Sequence, residues 1–157
     1  MRIELIVVGK TNKTFLIEGE NEYIKRLGKY VKFEKIEIPE LKNAKKLTEN
    51  QIKEAEGQLI LQKISPNGLV VLLDEKGKSF TSVKFARWMQ DQMNRGYKHL
   101  TFVVGGAYGF SDEVYASSHQ KIQLSDMTFS HQMVRLFFIE QIYRGFTILN
   151  NEPYHHQ

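Results

Sequence analysis

The sequence predicts an α/β fold: a mostly parallel sheet with helices on both faces. Two observations point there. Residues 3–8, 69–73 and 100–104 are short apolar runs without the polar alternation of a half-exposed strand, so each reads as a strand buried on both sides. Between them, apolar residues recur at helical spacing, and strands that alternate with helices build parallel sheets.

In chain order, the first strand is followed by a helix over about 14–27, where Phe15, Leu16, Tyr23, Ile24 and Leu27 share helical spacing and Gly28 offers a stop. Residues 31–38 set Val31, Phe33, Ile36 and Ile38 among lysines and glutamates, the pattern of an exposed or edge strand that Pro39 ends. The basic stretch 40–47 reads as an irregular, mobile loop. Thr48 precedes a helix to about Ile64, with Gln51 placed for a capping box. Ser65-Pro66-Asn67-Gly68 is a turn, and Leu69–Leu73 is the clearest buried strand, running into the polar 74–78. Ser79 or Thr81 can cap the next helix, to about Asn94. After the strand 100–104 come a glycine-rich loop, a short helix from about Asp112, a short strand at 121–124, and a long helix at about 131–149. No repeat or linker divides the chain, so one domain over 1–157 is expected.

A chain of 157 residues, 41% hydrophobic and 25% charged, has the make-up of a soluble globular domain with a real core. It has no cysteine, which excludes disulfides, thiolate catalysis and cysteine-held zinc or iron–sulfur clusters. No apolar run approaches the roughly 18 residues of a membrane helix. The opening residues lack the length and cleavage site of a signal peptide and carry Glu4. A cytoplasmic protein is expected. The net charge of +4 permits a polyanionic partner, and lysines and arginines gather at 25, 26, 29, 32 and 35 and again at 42, 45 and 46. The same clusters also suit a plain solvated face.

Ligands of open α/β sheets bind beyond the carboxyl ends of the strands. Two buried strands end there in loops fit for binding: Leu73-Asp74, and Gly105-Gly106, where missing side chains let backbone groups approach a ligand. A glycine pair is also an ordinary turn, and no dinucleotide or phosphate-loop motif is present. A third loop, Leu124-Ser125-Asp126-Met127-Thr128-Phe129-Ser130-His131, offers small hydroxyls and backbone groups, and Thr128 or Ser130 can cap the helix that follows. That helix is apolar on nearly all sides, which calls for burial on more than one, with a subunit interface as a natural second surface. Glu140 and Arg144 are spaced as an i,i+4 pair, while Arg135 sits among bulky apolar neighbours. The tail, Pro153-Tyr154-His155-His156, either stays disordered or folds over a site. Its paired histidines raise the option of a metal, but no third ligand presents itself.

Taken together, VLLDEKGK, VVGGAYGF, LSDMTFSHQMVRLFFIEQIYR and the terminal PYHH resemble the ribosomal RNA large subunit methyltransferase H family, of the SPOUT class of knotted methyltransferases. The resemblance runs from the IELIVVGK start to the tail. It implies methylation of N3 of a pseudouridine in 23S ribosomal RNA, on assembled ribosomes, by a homodimer. It implies S-adenosylmethionine against Leu73, Gly105, Leu124, Ser125, Asp126, Met127, Thr128 and Phe129. It also implies a C-terminal trefoil knot, which general topology rules would not suggest. Where the family commonly has proline before the histidine, this chain has Ser130. For the chemistry, His155 is the first candidate for a general base, donated by the partner subunit's tail. Tyr154 would stack on or orient the base, and Arg135 and Arg144 would bind phosphate or favour the ring anion. No metal and no membrane enter this scheme. The competing readings are a non-catalytic RNA- or ribosome-binding protein of the same fold and a flavodoxin-like nucleotide binder.

Overall fold

The computed structural model describes residues 1–156. In chain order the elements are β1 (Arg2–Val8), α1 (Thr14–Leu27), β2 (Lys32–Ile38), a 3-10 turn (Ala44–Lys46), α2 (Glu49–Lys63), β3 (Leu69–Ser79), α3 (Ser82–Asn94), β4 (His99–Val104), α4 (Asp112–Ser117), β5 (Gln120–Gln123) and α5 (His131–Leu149). The five strands form one sheet in the order β2-β1-β4-β3-β5, with every pairing parallel.

Strand alternation divides the core in two. Ile3, Leu5, Val71 and Phe102 face one side, packing with Leu27 of α1, Phe85 and Met89 of α3, and Phe138 and Ile142 of α5. Ile6, Val8, Leu72 and Val103 face the other, against Ile60 of α2 and Val114 of α4. Helices therefore lie on both faces, and the central strands need apolar residues at successive positions. β2 holds the edge, which explains its polar alternation.

The local signals act as their chemistry requires. Thr48 and Gln51 close a reciprocal capping box, and Thr81, Ser111 and Ser130 each accept a hydrogen bond from the backbone N–H three residues on. α1 stops at Gly28, though not through a left-handed glycine: Gly28 stays right-handed, and Tyr30 and Val31 donate to the Leu27 carbonyl.

Two expectations need correction. The polar stretch after Leu73 is not simply a loop, because β3 continues to Ser79 around an outward excursion. Ile122 pairs with both Leu73 and Lys78, so residues 74–77 bulge from the ladder. Gly77 permits this: a Cβ there would lie 2.6 Å from the Ile122 nitrogen. The second concerns α5, whose all-round apolarity is largely satisfied within one chain. It lies on the sheet between α1 and α3, leaving Phe137 as its exposed large apolar side chain. The first basic cluster is also partly spent on structure: Lys35 pairs with the buried Glu20 at 2.7 Å, Arg26 with Glu22 at 2.6 Å, and Lys29 with Glu152 at 3.5 Å.

Phe102 and Phe138 meet edge to face at a centroid separation of 4.7 Å, both fully buried where α5 crosses β4. Phe138→Ala is expected to lower stability by about 3–5 kcal/mol in equilibrium urea unfolding. A loss under about 1 kcal/mol would mean that α5 is not part of the cooperative core.

Candidate functional site

All strands of a parallel sheet point their carboxyl ends to one edge. Here the chain leaves β3 for α3 on one face and leaves β4 for α4 on the other, which opens a crevice between them. Two adjoining cavities of about 430 and 480 Å³ occupy it, sharing Leu73, Asp74, Phe129 and Val134 as walls. The first is bordered by Leu124, Ser125, Asp126, Met127 and Thr128, and the second by Gly105 and the glycine-rich turn to Gly109. All eight residues nominated for the cofactor thus line one cleft at the carboxyl ends of β3, β4 and β5.

The cleft is shaped by local hydrogen bonds. Met127 N–H donates to Ser125 Oγ at 3.0 Å, curling the third loop, and Ser130 Oγ receives the Met133 N–H at 3.2 Å to start α5. On the opposite wall, Asp74 accepts from Lys76 N–H at 2.8 Å and from the Tyr115 hydroxyl. Burial first, then the bond to Asp74, pushes the Tyr115 phenol up to about 12. Tyr115, from α4, was not anticipated, because its contact spans 41 residues and leaves no local pattern. The walls combine apolar Leu73, Leu124, Phe129 and Val134 with the carboxylates of Asp74 and Asp126 and the hydroxyls of Ser125 and Thr128. Such a surface suits a ligand that is part flat ring, part hydroxylated and part cationic.

The tail forms a second cluster. Arg144 donates to Glu140 Oε1 at 2.6 Å and to His155 Nδ1 at 3.1 Å, and its guanidinium lies 4.8 Å from the Tyr154 ring centroid. The Tyr154 hydroxyl donates to the same Glu140 oxygen at 2.9 Å and lies 3.1 Å from the Tyr23 hydroxyl. Tyr30 donates to Glu152 at 2.6 Å, so the tail is pinned to α1 and α5. Burial, followed by the bonds to Tyr23 and Glu140, raises the Tyr154 phenol and keeps it neutral at physiological pH. The Glu140 hydrogen bond raises the Arg144 guanidinium in turn. Glu140, named in the sequence only as the partner of Arg144, is the hub that holds both groups.

Arg135 departs from expectation. It is 1% exposed, with its terminal nitrogens donating to the carbonyls of Val8 at 2.6 Å and Gly9 at 2.9 Å and to Thr11 Oγ1 at 3.1 Å. Burial lowers its pKa, opposed by Glu20, Glu37 and Glu40. Committed inward, it is closed to phosphate or to a substrate ring. The tail cluster adjoins the cleft through Glu140, which lines a neighbouring cavity with Leu124 and Phe129, while Arg144 follows His131, at the cleft rim, by 13 residues of α5, roughly 20 Å along the axis.

Comparison with known proteins bears on what this edge does. A family described as "Predicted SPOUT methyltransferase" matches residues 1–155. The chain belongs to the SPOUT methyltransferase family. Within the family, it is 59% identical over its full length to the ribosomal RNA large subunit methyltransferase H of Flavobacterium psychrophilum, 57% to that of Parabacteroides distasonis and 53% to that of Bacteroides fragilis, covering 100% of each. Two solved methylase family proteins share the fold. One, from Haemophilus influenzae, has a TM-score of 0.52 at 15% identity over 95% of this chain and 66% of that one. The other, from Neisseria gonorrhoeae, has a TM-score of 0.53 at 14% identity over 99% and 85%.

A SPOUT methyltransferase needs a methyl donor, and the cleft fits S-adenosylmethionine. Its volume is that of a small-molecule site. Apolar walls suit an adenine ring, while Asp74 and Asp126 suit ribose hydroxyls and positive charge. Among the described residues, no group of three or more His, Asp or Glu side chains could hold a metal, and no helix is long and apolar enough to cross a membrane.

Two outcomes follow for this SPOUT methyltransferase. Arg135→Met, which leaves the Val8 and Gly9 carbonyls without their partner, is expected to cost about 3 kcal/mol in urea unfolding; an unchanged midpoint would return Arg135 to the surface. The raised Tyr115 phenol stabilises the fold fully below pH about 10, its ordinary value, and that contribution is lost as pH rises toward 12. Ultraviolet titration should therefore lose a late-titrating phenol in Tyr115→Phe, and a variant whose titration matches the parent would remove the Asp74 contact.

Proposed function

We propose that this chain is an S-adenosylmethionine-dependent methyltransferase acting on N3 of a pseudouridine in 23S ribosomal RNA. It works on the assembled ribosome in the cytoplasm, as a homodimer whose C-terminal segment is knotted. One observation carries the reading: three loops distant in sequence converge on a single cleft with mixed apolar and acidic walls, in a chain alignable end to end with relatives named ribosomal RNA large subunit methyltransferase H.

Leu73, Gly105 and Leu124–Phe129 would hold S-adenosylmethionine, which when bound supplies an electrophilic methyl carbon on a positively charged sulfur. The chain's own groups must orient the pseudouridine, exclude water and manage the N3 proton, since the ring attacks well only as that proton leaves. Arg144 and His155 are the candidates. A guanidinium cannot accept a hydrogen bond, so the 3.1 Å contact makes His155 Nδ1 the acceptor and leaves the hydrogen on Nε2. In this arrangement Nε2–H is buried without a partner, and once the tail opens to the substrate it can donate to a ring oxygen and stabilise the anion. His155 becomes the base once Arg144 releases Nδ1. Tyr154, neutral and fixed by Glu140, orients the base. Arg135 acts as a positioning residue.

Arg144 lies ten residues of α5, roughly 15 Å, beyond Val134 on the cleft wall, and a tail from the partner subunit would bring such a group to the cleft itself. The exposed apolar side chains of Met127, Phe129 and Phe137, beside the cleft, support a second copy covering this face.

A mixing experiment tests this. One subunit type carries Gly105→Glu, which fills the cleft; the other is truncated before Pro153. Each alone should transfer no methyl group to ribosomes lacking the modification, while co-expressed mixtures should recover activity, as read by mass spectrometry of rRNA nucleosides. A mixture as inactive as its parents would overturn tail donation in trans. His155→Ala and Arg144→Ala should slow transfer at least 100-fold while S-adenosylmethionine affinity by calorimetry stays within a few-fold. No binding of that cofactor to the parent protein would instead favour a non-catalytic RNA-binding role.

A further inference from the structure

Glu140 gathers Arg144 and Tyr154 on a single oxygen, Oε1, although a carboxylate and a guanidinium readily meet as a two-pronged fork. The missing prong is visible on the arginine. Arg144 Nε, which shares one edge of the guanidinium with Nη2, is buried without a hydrogen-bond partner. The second carboxylate oxygen is taken elsewhere. Gln141 Nε2 donates to Glu140 Oε2 at 2.9 Å, and the hydroxyl of Ser82, the first residue of α3, donates to Gln141 Oε1 at 2.8 Å. Directions are forced along this chain of bonds. An ionised carboxylate only accepts, so the amide turns its NH2 to Glu140 and its oxygen to Ser82, whose hydroxyl must then give its proton.

Successive side chains on a helix point about 100° apart and do not face each other, so Glu140 and Gln141 do not meet by default. Ser82, on the neighbouring helix, anchors the far end of the amide and holds the near end on Glu140. Ser82, Glu140 and Gln141 also line a cavity of about 300 Å³ together with Leu124 and Phe129 of the cofactor loop, so the relay borders the cleft.

We propose that Gln141 and Ser82 are positioning residues for methyl transfer, acting through Glu140: by occupying its second oxygen they limit Glu140 to one nitrogen of Arg144 and so keep Arg144 Nη1 on His155. Without the Gln141 amide, Oε2 becomes an unpaired acceptor in the same ion pair as an unpaired donor, and the carboxylate turns to close the fork on Nε and Nη2. The fork is planar, so that turn draws Oε1 from the Tyr154 hydroxyl and Nη1 from His155 Nδ1. His155 then loses the contact that sets its tautomer, and Tyr154 the one that fixes its ring. The proposal rests on the methyltransferase reading for its effect on rate, but not for its effect on Arg144.

Gln141→Met keeps the side-chain length and removes both polar atoms, while Ser82→Ala removes only the hydroxyl that anchors the amide. The Arg144 Nε–H signal is followed by proton–nitrogen NMR of the full-length protein, assigned with Arg144→Lys. It should move downfield in both variants, as a free N–H does on gaining a carboxylate partner. With ribosomes lacking the modification, both variants should lower kcat about tenfold or more, while KM for ribosomes and S-adenosylmethionine affinity stay within a few-fold. Ser82→Thr, which returns the hydroxyl, should bring kcat back to within a few-fold of the parent. An Arg144 signal unmoved in both variants, a kcat close to the parent's in both, or a rise in KM alone would each overturn the relay. A protein whose Arg144 signal moves as described, but whose parent form transfers no methyl group to ribosomes, sinks the functional reading alone.

Discussion

The Arg135 guanidinium, shut off from water in the first half of α5, answers the carbonyls that end β1 and the hydroxyl that follows them. Beside it, the side-chain amide of Gln132 donates to the Lys10 carbonyl at 3.1 Å, and Gln132 Oε1 accepts from Asn12 N–H at the same distance. Together they fasten the start of the last helix to the loop after the first strand. Because α5 also supplies the cleft wall at Val134 and the hub at Glu140, the position of each depends on that fastening. A buried cation among backbone carbonyls is a demanding choice: every donor left over costs free energy, and Arg135 Nε has no partner. What it secures is register between the two ends of the chain.

The architecture was legible because its signals are local or periodic. Buried parallel strands tend to be apolar at consecutive positions, and the first half of β3 is, as are the buried positions of β1 and β4 apart from Glu4 and Thr101, which are hydrogen-bonded to each other. Caps announce themselves chemically, as Thr48 with Gln51 does. The excursion at 74–77 was hidden, since polar residues after a strand read equally well as a loop, and only the ladder with β5 shows that pairing resumes at Lys78.

The cofactor-side loops were nominated by their place after strands and by family resemblance, and those residues do line one cleft. Side-chain commitments were harder to foresee. Arg135 looked available because its neighbours in sequence are bulky and apolar, yet that surrounding is what buries it. Tyr115 on Asp74, Glu56 behind Gly106 and Tyr154 on Tyr23 are contacts between distant segments, and no window of sequence contains them. The paired histidines illustrate the same limit. A tail read as either disordered or folded over a site turns out to be held by Tyr23, Tyr30 and Glu140.

The pairing of Tyr23 with Tyr154 spans 131 residues, and the larger core cluster includes Phe138, Ile142 and Phe146 from the last helix. This core therefore cannot close before the last helix is in place. Until then, the inner faces of α1 and α3 have no cover and the two central strands lack part of their roof. The two ends of the described fold are therefore one folding unit: neither the first helix nor the last is covered until both are in place.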